Sequence, residues 1–261
     1  MNDVLTERVN IERYLHKALA ENEFEIYYQP QLDLKSNKIT GLEALMRWRS
    51  PELGFVSPLK FIKVAEDTHL IIPLGAWVLR NACAFLSKLH NKGYRDLTVS
   101  VNISMLQLLQ TNFNDIVIDT LEFFGLESNY LELEITESIL MESFEIIGKK
   151  LEKFKEMGVR IALDDFGKGY SSLNYLKQLP ISTLKIDKSF IDCITFENVD
   201  ETLTGQIVMI GKSMGMNVIA EGVERQEQLE YLVNHQCNKI QGYICSKPIP
   251  EGEIEKLLEN R

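Results

Sequence analysis

The chain has 261 residues, 45% of them hydrophobic, and a formal net charge of −10 at pH 7. This length fits one large domain or two small ones, and a single (β/α)8 barrel has about this size. The acidic balance argues against a protein that wraps nucleic-acid polymers, since such binding needs a basic face. The four cysteines form no CxxC pair, so neither a zinc cluster nor a disulfide framework is expected, and a reducing, cytoplasmic compartment fits better.

No targeting or membrane-inserting segment is visible in the sequence. Met1–Glu12 is charged rather than apolar, unlike a signal peptide. The most apolar run, Leu70–Leu79, is short and is broken by Pro73, so no membrane insertion is expected.

The first elements predict an unusual start for a barrel. Val4–Ala20 has apolar residues at helical spacing and is predicted as an amphipathic helix, so residues 1–20 are expected to be an N-terminal helix or connector and residues 21–261 the main domain. Phe24–Gln31 and Ile39–Trp48 are predicted strands, joined by a turn at Ser36-Asn37. They therefore form a hairpin, whereas a regular barrel begins with a parallel crossover.

From Pro58 onward, predicted helices and strands alternate, which is typical of a parallel sheet covered by helices. Eight strand candidates in this length predict a closed barrel, with one antiparallel strand near the N-terminus. The predicted helices are Pro58–Glu66, Gly75–Lys92, Phe113–Phe124, Phe144–Met157, Glu201–Met214 and Gln226–Asn234. The later strands are Leu97–Ile103, Tyr130–Thr136, Thr183–Asp187, Asn217–Glu221 and Lys239–Tyr243, together with the segment described next.

The segment Val159–Ser172, VRIALDDFGKGYSS, carries the sharpest chemical signal. A buried strand ends in the adjacent acids Asp164 and Asp165, a glycine-containing loop follows, and Ser171 or Ser172 is placed to cap a helix. Two carboxylates at one strand end repel each other unless a proton or a cation lies between them. Taken alone, the segment is explained equally well as an ordinary turn. The ends of the other strands therefore decide between the two interpretations.

Polar residues recur within or at the carboxyl ends of the predicted strands. In an α/β barrel these ends converge on one face, and that face carries the chemistry. The set contains oxygen donors and one lysine but no histidine or cysteine, which favours Mg²⁺ or Mn²⁺ over zinc. Its members are Glu43, Asn102, Glu134, Asp164, Asp165, Lys185, Asp187, Glu221 and Gln241.

Glu43-Ala44-Leu45, followed by Arg47-Trp48, resembles the signature of EAL-domain cyclic-di-GMP phosphodiesterases. Further motifs of the family follow in order along nearly the whole chain, and the family fold is a modified TIM barrel with one antiparallel strand. These motifs are YYQP at Tyr27–Pro30, VNIS at Val101–Ser104, LEITES at Leu133–Ser138, DDFGKGYSS at Asp164–Ser172, LKID at Leu184–Asp187, AEGVE at Ala220–Glu224 and QGY at Gln241–Tyr243.

The resemblance implies a site for two metal ions. The first ion is expected to be bound by Glu43, Asn102, Glu134 and Asp164. Asp164 resembles the bridging ligand, with Asp165 and Glu221 turned to the second ion. Mg²⁺ or Mn²⁺ is expected to support catalysis and Ca²⁺ to inhibit it.

The resemblance also implies catalytic and substrate roles. Lys185 resembles the residue that contacts the attacking water, while Gln241 supports the site. Chemically, Lys185 could donate to the nucleophile or the phosphate, or serve as a base, and the sequence leaves these roles open. The implied catalytic set is Lys185, Glu43, Glu221 and Gln241, and the implied substrate-binding set is Gln29, Leu45, Arg47 and Asp187.

Glu137 resembles the glutamate that steadies the Asp165–Ser172 loop, which in the family bears on metal binding and on dimer contacts. A homodimer is therefore expected. An upstream sensory or cyclase domain is a separate expectation. Two positions depart from the family pattern: Ser50-Pro51 stands where His-Pro is common, and His69 where glycine is common. Neither position belongs to the implied metal set.

Three functional hypotheses follow. The first is a phosphodiesterase that linearises cyclic di-GMP to pGpG with a metal-activated water. The second is a catalytically silent receptor for cyclic di-GMP, which would be expected to lack a metal ligand or the lysine; every one is present here. The third is a magnesium-dependent barrel enzyme of unrelated chemistry, which survives only if the motifs are discounted.

Overall fold

The protein is described by a computed structural model, in which residues 2–142, 144–167, 176–195 and 202–260 are placed. Eight strands close a barrel, and helices pack around its outside. The barrel strands are β1 (Phe24–Asp33), β2 (Lys38–Ser50), β4 (Thr98–Asn102), β5 (Leu131–Thr136), β6 (Arg160–Phe166), β7 (Thr183–Ile186), β8 (Asn217–Glu221) and β9 (Lys239–Gln241). Two short strands, β3 (Gly54–Val56) and β10 (Ile249–Pro250), extend the sheet beyond β2 and β1.

The helices in the described parts of the chain vary from one turn to 21 residues in length. They are α1 (Asn2–Ala18), α2 (Pro58–Asp67), α3 (Ile71–Asn91), α4 (Met105–Leu108), α5 (Phe113–Phe124), α6 (Glu137–Glu142), α7 (Phe144–Glu156), α8 (Lys188–Asp192), α9 (Thr204–Ser213), α10 (Gln226–Asn234) and α11 (Glu251–Glu259). No described helix combines the length and the apolar character that crossing a membrane requires.

The strand directions confirm the predicted modified barrel. β1 pairs antiparallel with β2 on one side and with β9 on the other. From β2 through β4 to β9, each neighbouring barrel pair is parallel. The hairpin register places Gln29 opposite Glu43 and Tyr27 opposite Leu45, with an irregularity between Gln31 and Leu32. The first two strands thus bring their polar residues together at one end of the barrel.

The apolar core lies between the barrel and its helices. Alternate residues of each strand face outward, and Leu42, Val101, Leu133 and Leu163 are all at most 1% exposed. The helix α1 joins this core, since Ile11, Leu15 and Ala18 along its length are buried. The division of the chain near residue 20 stays a prediction.

Most predicted elements coincide with observed ones. Phe113–Phe124, Asn217–Glu221 and Gln226–Asn234 have the predicted bounds, whereas α3 begins at Ile71 rather than Gly75. The short helices α4, α6 and α8 were not predicted, because one turn of helix has too few residues to show a period. The predicted helix after Ser172 falls mostly outside the described residues.

His69 occupies a left-handed backbone conformation, with φ of 61°. It follows the last turn of α2, where its N–H donates to the Glu66 carbonyl oxygen at 3.1 Å. Glycine adopts this conformation without steric cost, and other residues adopt it rarely. The departure of His69 from the family pattern is therefore a matter of backbone strain at a turn, away from the metal set.

Candidate functional site

The strands place their polar residues inside the barrel because side chains alternate between the two faces of a strand. Glu132 and Glu134 on β5, and Thr183 and Lys185 on β7, lie two residues apart and face inward in successive layers. In the lower layer Thr183 donates to Glu132 at 2.5 Å. In the upper layer, at the carboxyl end of the parallel strands, Lys185 contacts Glu134.

Lys185 is the centre of the site. Its side chain is fully buried, and its ammonium lies among carboxylates from four other strands. The distances from Nζ are 2.5 Å to Glu134 Oε2, 2.7 Å to Glu221 Oε1, 3.3 Å to Glu43 Oε2 and 3.7 Å to Asp164 Oδ1. The structure therefore brings together five of the residues that the sequence singled out.

One ammonium does not balance four carboxylates. Burial, together with the neighbouring negative charges, raises the pKa of Glu134 well above its usual range and raises that of Glu221 to about 8. Burial also raises the pKa of Asp164. Burial alone would lower the pKa of Lys185, but the four acids together hold it well above its ordinary value. The site carries an excess of negative charge that additional cations would relieve.

Glu43 is the acid with the fullest set of donors. Asn102 Nδ2 donates to its Oε1 at 2.7 Å, while the Gln241 amide and Lys185 donate to its Oε2. Burial favours the protonated acid, but the Lys185 charge and these hydrogen bonds outweigh it and lower the pKa of Glu43. Glu43 is thus held ionised at the mouth of the barrel.

The carboxylate and amide oxygens of the site are suitable ligands for a hard divalent cation, although they are now arranged around the Lys185 ammonium. Among the described residues, no three acidic, histidine or cysteine side chains are arranged as ligands of one ion. Glu134 Oε1, however, is buried and has no hydrogen-bond partner in the described parts of the chain. Such an atom is costly to bury unless it binds something, and carboxylate oxygens are the ligands that Mg²⁺ and Mn²⁺ prefer. The residues fit the implied metal once the Lys185 ammonium moves away from the centre of the carboxylates.

Asp164 and Asp165 both reach the cleft above the site, because β6 is irregular at its end. The pairing of β6 with β7 shifts register between Leu163 and Phe166, and Asp165 has a left-handed φ of 56°. The Asp165 N–H donates to Asp164 Oδ1 at 2.8 Å. Without this irregularity, consecutive side chains would point to opposite faces of the strand.

Glu137 contacts the start of the predicted loop. It is the first residue of α6, is 3% exposed, and its Oε2 accepts from the Gly167 N–H at 3.2 Å. Residues 168–172 of that loop lie outside the described residues. The role of Glu137 as the loop anchor stays a prediction, supported by this hydrogen bond.

Two cavities flank the acidic centre and share Leu45 and Asp164 as a common wall. The smaller has a volume of about 340 Å³ and includes Gln29, while the larger has about 760 Å³ and includes Arg47. Acids of the centre line both cavities, Glu43 and Glu221 the smaller one and Glu134 the larger one.

Asp187 is the predicted substrate-binding residue that lines neither cavity. Its carboxylate caps α8, accepting from the Ser189 N–H at 3.0 Å and from the Ser189 hydroxyl at 2.5 Å. An aspartate before a short helix commonly satisfies the first free N–H groups in this way. A substrate role for Asp187 stays a prediction.

Gln31 is a site residue that the sequence analysis missed. It is 1% exposed, and its amide donates to Gln241 Oε1 at 3.2 Å. The signal was available, since Gln29 and Gln31 lie two residues apart in β1 and therefore share the face of Glu43. Gln31 is the last residue of the predicted strand Phe24–Gln31, but it was not singled out as a site residue.

Comparisons with known proteins agree with the geometry of this site. The family model described as "EAL domain" matches residues 12–248. The signaling protein YkoW of Bacillus subtilis is 42% identical over 97% of this chain and 32% of its own length. The cyclic di-GMP phosphodiesterase NbdA of Pseudomonas aeruginosa is 40% identical, again over 97% of this chain and 32% of its own length. The chain thus spans about a third of the length of these curated relatives.

A solved structure, the PaMucR phosphodiesterase in complex with c-di-GMP, superposes with a TM-score of 0.89. It is 37% identical and covers 94% of this chain and 99% of that chain. The barrel with one antiparallel strand, the acids around Lys185 and the family-model match over most of the sequence lead to one assignment. This chain belongs to the EAL domain family.

Proposed function

We propose that this chain hydrolyses cyclic di-GMP to linear pGpG. The observation that carries the proposal is the set of four buried or part-buried carboxylates around Lys185, between two cavities. A relative at 40% identity is named a cyclic di-GMP phosphodiesterase, and a similar structure contains c-di-GMP. A cyclic dinucleotide has two similar halves joined by two phosphodiester bonds, and one of these bonds would lie over the acids.

The chain's own residues have distinct parts in this proposal. Gln29 in the smaller cavity and Arg47 in the larger one would hold the substrate on either side of Leu45. Glu43, Asn102, Glu134, Asp164, Asp165 and Glu221 would hold two divalent ions. Such ions supply a water nucleophile near neutral pH and stabilise the charge on the phosphate.

Lys185 would orient the attacking water or stabilise developing charge on the phosphate. Its ammonium is held protonated by four acids in the present arrangement, which favours a donor over a base. To act, the ammonium would leave the centre of the carboxylates and remain at the edge of the site. Gln241 would keep Glu43 oriented during this change, since it donates to that carboxylate.

The experiment that tests the proposal is incubation of the purified chain with cyclic di-GMP and Mg²⁺, followed by chromatography for pGpG. Formation of pGpG that stops when the metal is chelated supports the proposal. Binding of cyclic di-GMP without any product would instead support the receptor hypothesis. No binding and no product would contradict both.

The choice of metal is expected to separate binding from turnover. We expect Mg²⁺ or Mn²⁺ to support hydrolysis and Ca²⁺ to give rates at least about tenfold lower, because its longer bonds and looser geometry would misplace the water. All three ions should raise the melting temperature, since they relieve repulsion among the acids. Initial rates and thermal unfolding with each ion measure this, and equal rates with Ca²⁺ and Mg²⁺ would contradict the metal-activated water.

Replacing Glu137 with alanine is expected to lower activity through metal affinity. The change removes the acceptor for the Gly167 N–H, and residues that orient metal ligands are typically worth about 10- to 100-fold in affinity or activity. Glu137→Gln keeps an acceptor oxygen and should retain most activity, and Glu156→Ala, an exposed acid on α7, is the neutral control. If saturating Mg²⁺ restores nothing and the oligomeric state is unchanged, the loop-anchor role is wrong.

Homodimer formation and control by an upstream sensory or cyclase domain remain proposals. The curated relatives are about three times as long as the region they share with this chain. Analytical ultracentrifugation with and without cyclic di-GMP and Ca²⁺ measures the first of these.

A further inference from the structure

A line of hydrogen-bonded amides runs inside the barrel, beneath and beside the acidic centre. Gln31 Nε2 donates to Gln241 Oε1 at 3.2 Å, and Gln241 Nε2 donates both to Glu43 and, at 3.1 Å, to Gln29 Oε1. Gln29 Nε2 in turn donates to the Ser246 carbonyl oxygen at 3.3 Å. Gln31 and Gln241 are 1% and 4% exposed, so water has little access to compete for these bonds.

The direction of this line is fixed by the groups at its ends. A side-chain amide donates from its nitrogen and accepts at its oxygen, whereas a carboxylate and a backbone carbonyl only accept. Glu43 therefore requires the nitrogen of Gln241, which turns the Gln241 oxygen toward Gln31. In the described parts of the chain, the hydrogen bond that this oxygen accepts comes from Gln31 Nε2. A flipped Gln241 would place its oxygen against the Glu43 carboxylate and its nitrogen against the Gln31 nitrogen.

The space for the Gln31 amide is made by Gly41. The two residues are partners in the β1–β2 register, and a Cβ on Gly41 would lie 2.4 Å from Gln31 Oε1. The requirement is for close approach rather than for an unusual backbone, and any side chain at position 41 would displace the amide. The Gln31 amide therefore packs closely against Gly41, one layer below the site, and we call this space the niche.

We propose that Gln31 is a positioning residue that selects the orientation of the Gln241 amide and so holds the Glu43 carboxylate ready for a metal ion. This rests on the proposed function, in which Glu43 is a metal ligand. Gln31 itself touches neither substrate nor metal. It acts through its hydrogen bond to Gln241, and the missing side chain of Gly41 leaves space for its amide.

The test is a double-mutant cycle on the affinity for Mn²⁺, measured by electron paramagnetic resonance of the free ion. We expect Gln31→Met, which keeps the chain length but removes the donor, to weaken Mn²⁺ binding about 10- to 100-fold in the wild-type background. In a Gln241→Ala background the same change should alter binding less than twofold, since the amide it orients is gone. Gln228→Glu, a substitution at another fully buried glutamine, serves as the control for stability loss.

Gly41→Ala perturbs the same amide by a second route and keeps the proposal testable if Gln31→Met fails to fold. It should weaken Mn²⁺ binding in the wild-type background. Combined with Gln31→Ala, which empties the niche, it should cause no further loss. An equal effect of Gln31→Met in both Gln241 backgrounds, or no effect in either, would overturn the proposal.

The same samples separate this inference from the proposed function. If the variants show the expected coupling in Mn²⁺ binding but the wild type forms no pGpG, the hydrolase proposal fails and the positioning role stands. If the wild type forms pGpG and the coupling is absent, the positioning role fails and the hydrolase proposal stands. With both intact, kcat should fall in Gln31→Met more than KM rises, as expected for a group that aligns the metal rather than the substrate.

Discussion

Replacing Lys185 with methionine is expected to reduce pGpG formation at least about 100-fold while leaving cyclic di-GMP binding in Ca²⁺ within a few-fold of wild type. The lost ammonium is a positioned donor, and such a group typically contributes a hundredfold or more to the rate. Arg47, Gln29 and the metal ligands remain, so ground-state affinity should persist. Chromatography with Mg²⁺ measures turnover, and calorimetry with Ca²⁺ measures binding.

The same variant should respond to metal more strongly than the wild type. Without Lys185, the four surrounding carboxylates, all buried or part-buried, lose their common partner, which is costly. We therefore expect a lower melting temperature in chelator and a larger rise on adding Mg²⁺. Lys239→Met removes another barrel lysine, below the site on β9, and should leave turnover unchanged. If Lys185→Met hydrolyses like the wild type, Lys185 has no catalytic part.

Replacing Glu43 with glutamine is expected to abolish measurable hydrolysis with the barrel still folded. Glutamine keeps the volume, but it replaces the ionised oxygen pair that Asn102, Gln241 and Lys185 hold with a neutral amide. Loss of a direct metal ligand should cost at least as much as loss of a group that orients one, about 100-fold or more. Activity at saturating Mn²⁺ and Mn²⁺ affinity together measure this.

Glu132→Gln is the matched control for Glu43→Gln. Glu132 is also buried inside the barrel, one layer lower, where it accepts from the Thr183 hydroxyl. A glutamine oxygen still accepts that bond, so folding and turnover should be retained. Near wild-type turnover in Glu43→Gln at low Mn²⁺ would remove Glu43 from the metal set.

The sequence alone predicted the architecture and most of the residues that the structure brings together at the site. The spacing of apolar residues predicted the strands and helices, and Phe24–Gln31 with Ile39–Trp48 predicted the antiparallel start. Polar residues at strand ends predicted Glu43, Glu134, Lys185 and Glu221 as neighbours. These inferences succeed because side-chain alternation and strand direction are local properties, and parallel strands bring their carboxyl ends to one face.

Only the tertiary structure decided which atoms meet. Lys185 and Glu43 are 142 residues apart, and Gln31 and Gln241 are 210 residues apart, so no local pattern reports their hydrogen bonds. The closure of the barrel brings β1 beside β9, and only then does the amide of Gln31 face Gln241. The packing of the Gln31 amide against Gly41 likewise depends on the strand register. The sequence left this register undetermined, because the hairpin pairing is irregular between Gln31 and Leu32.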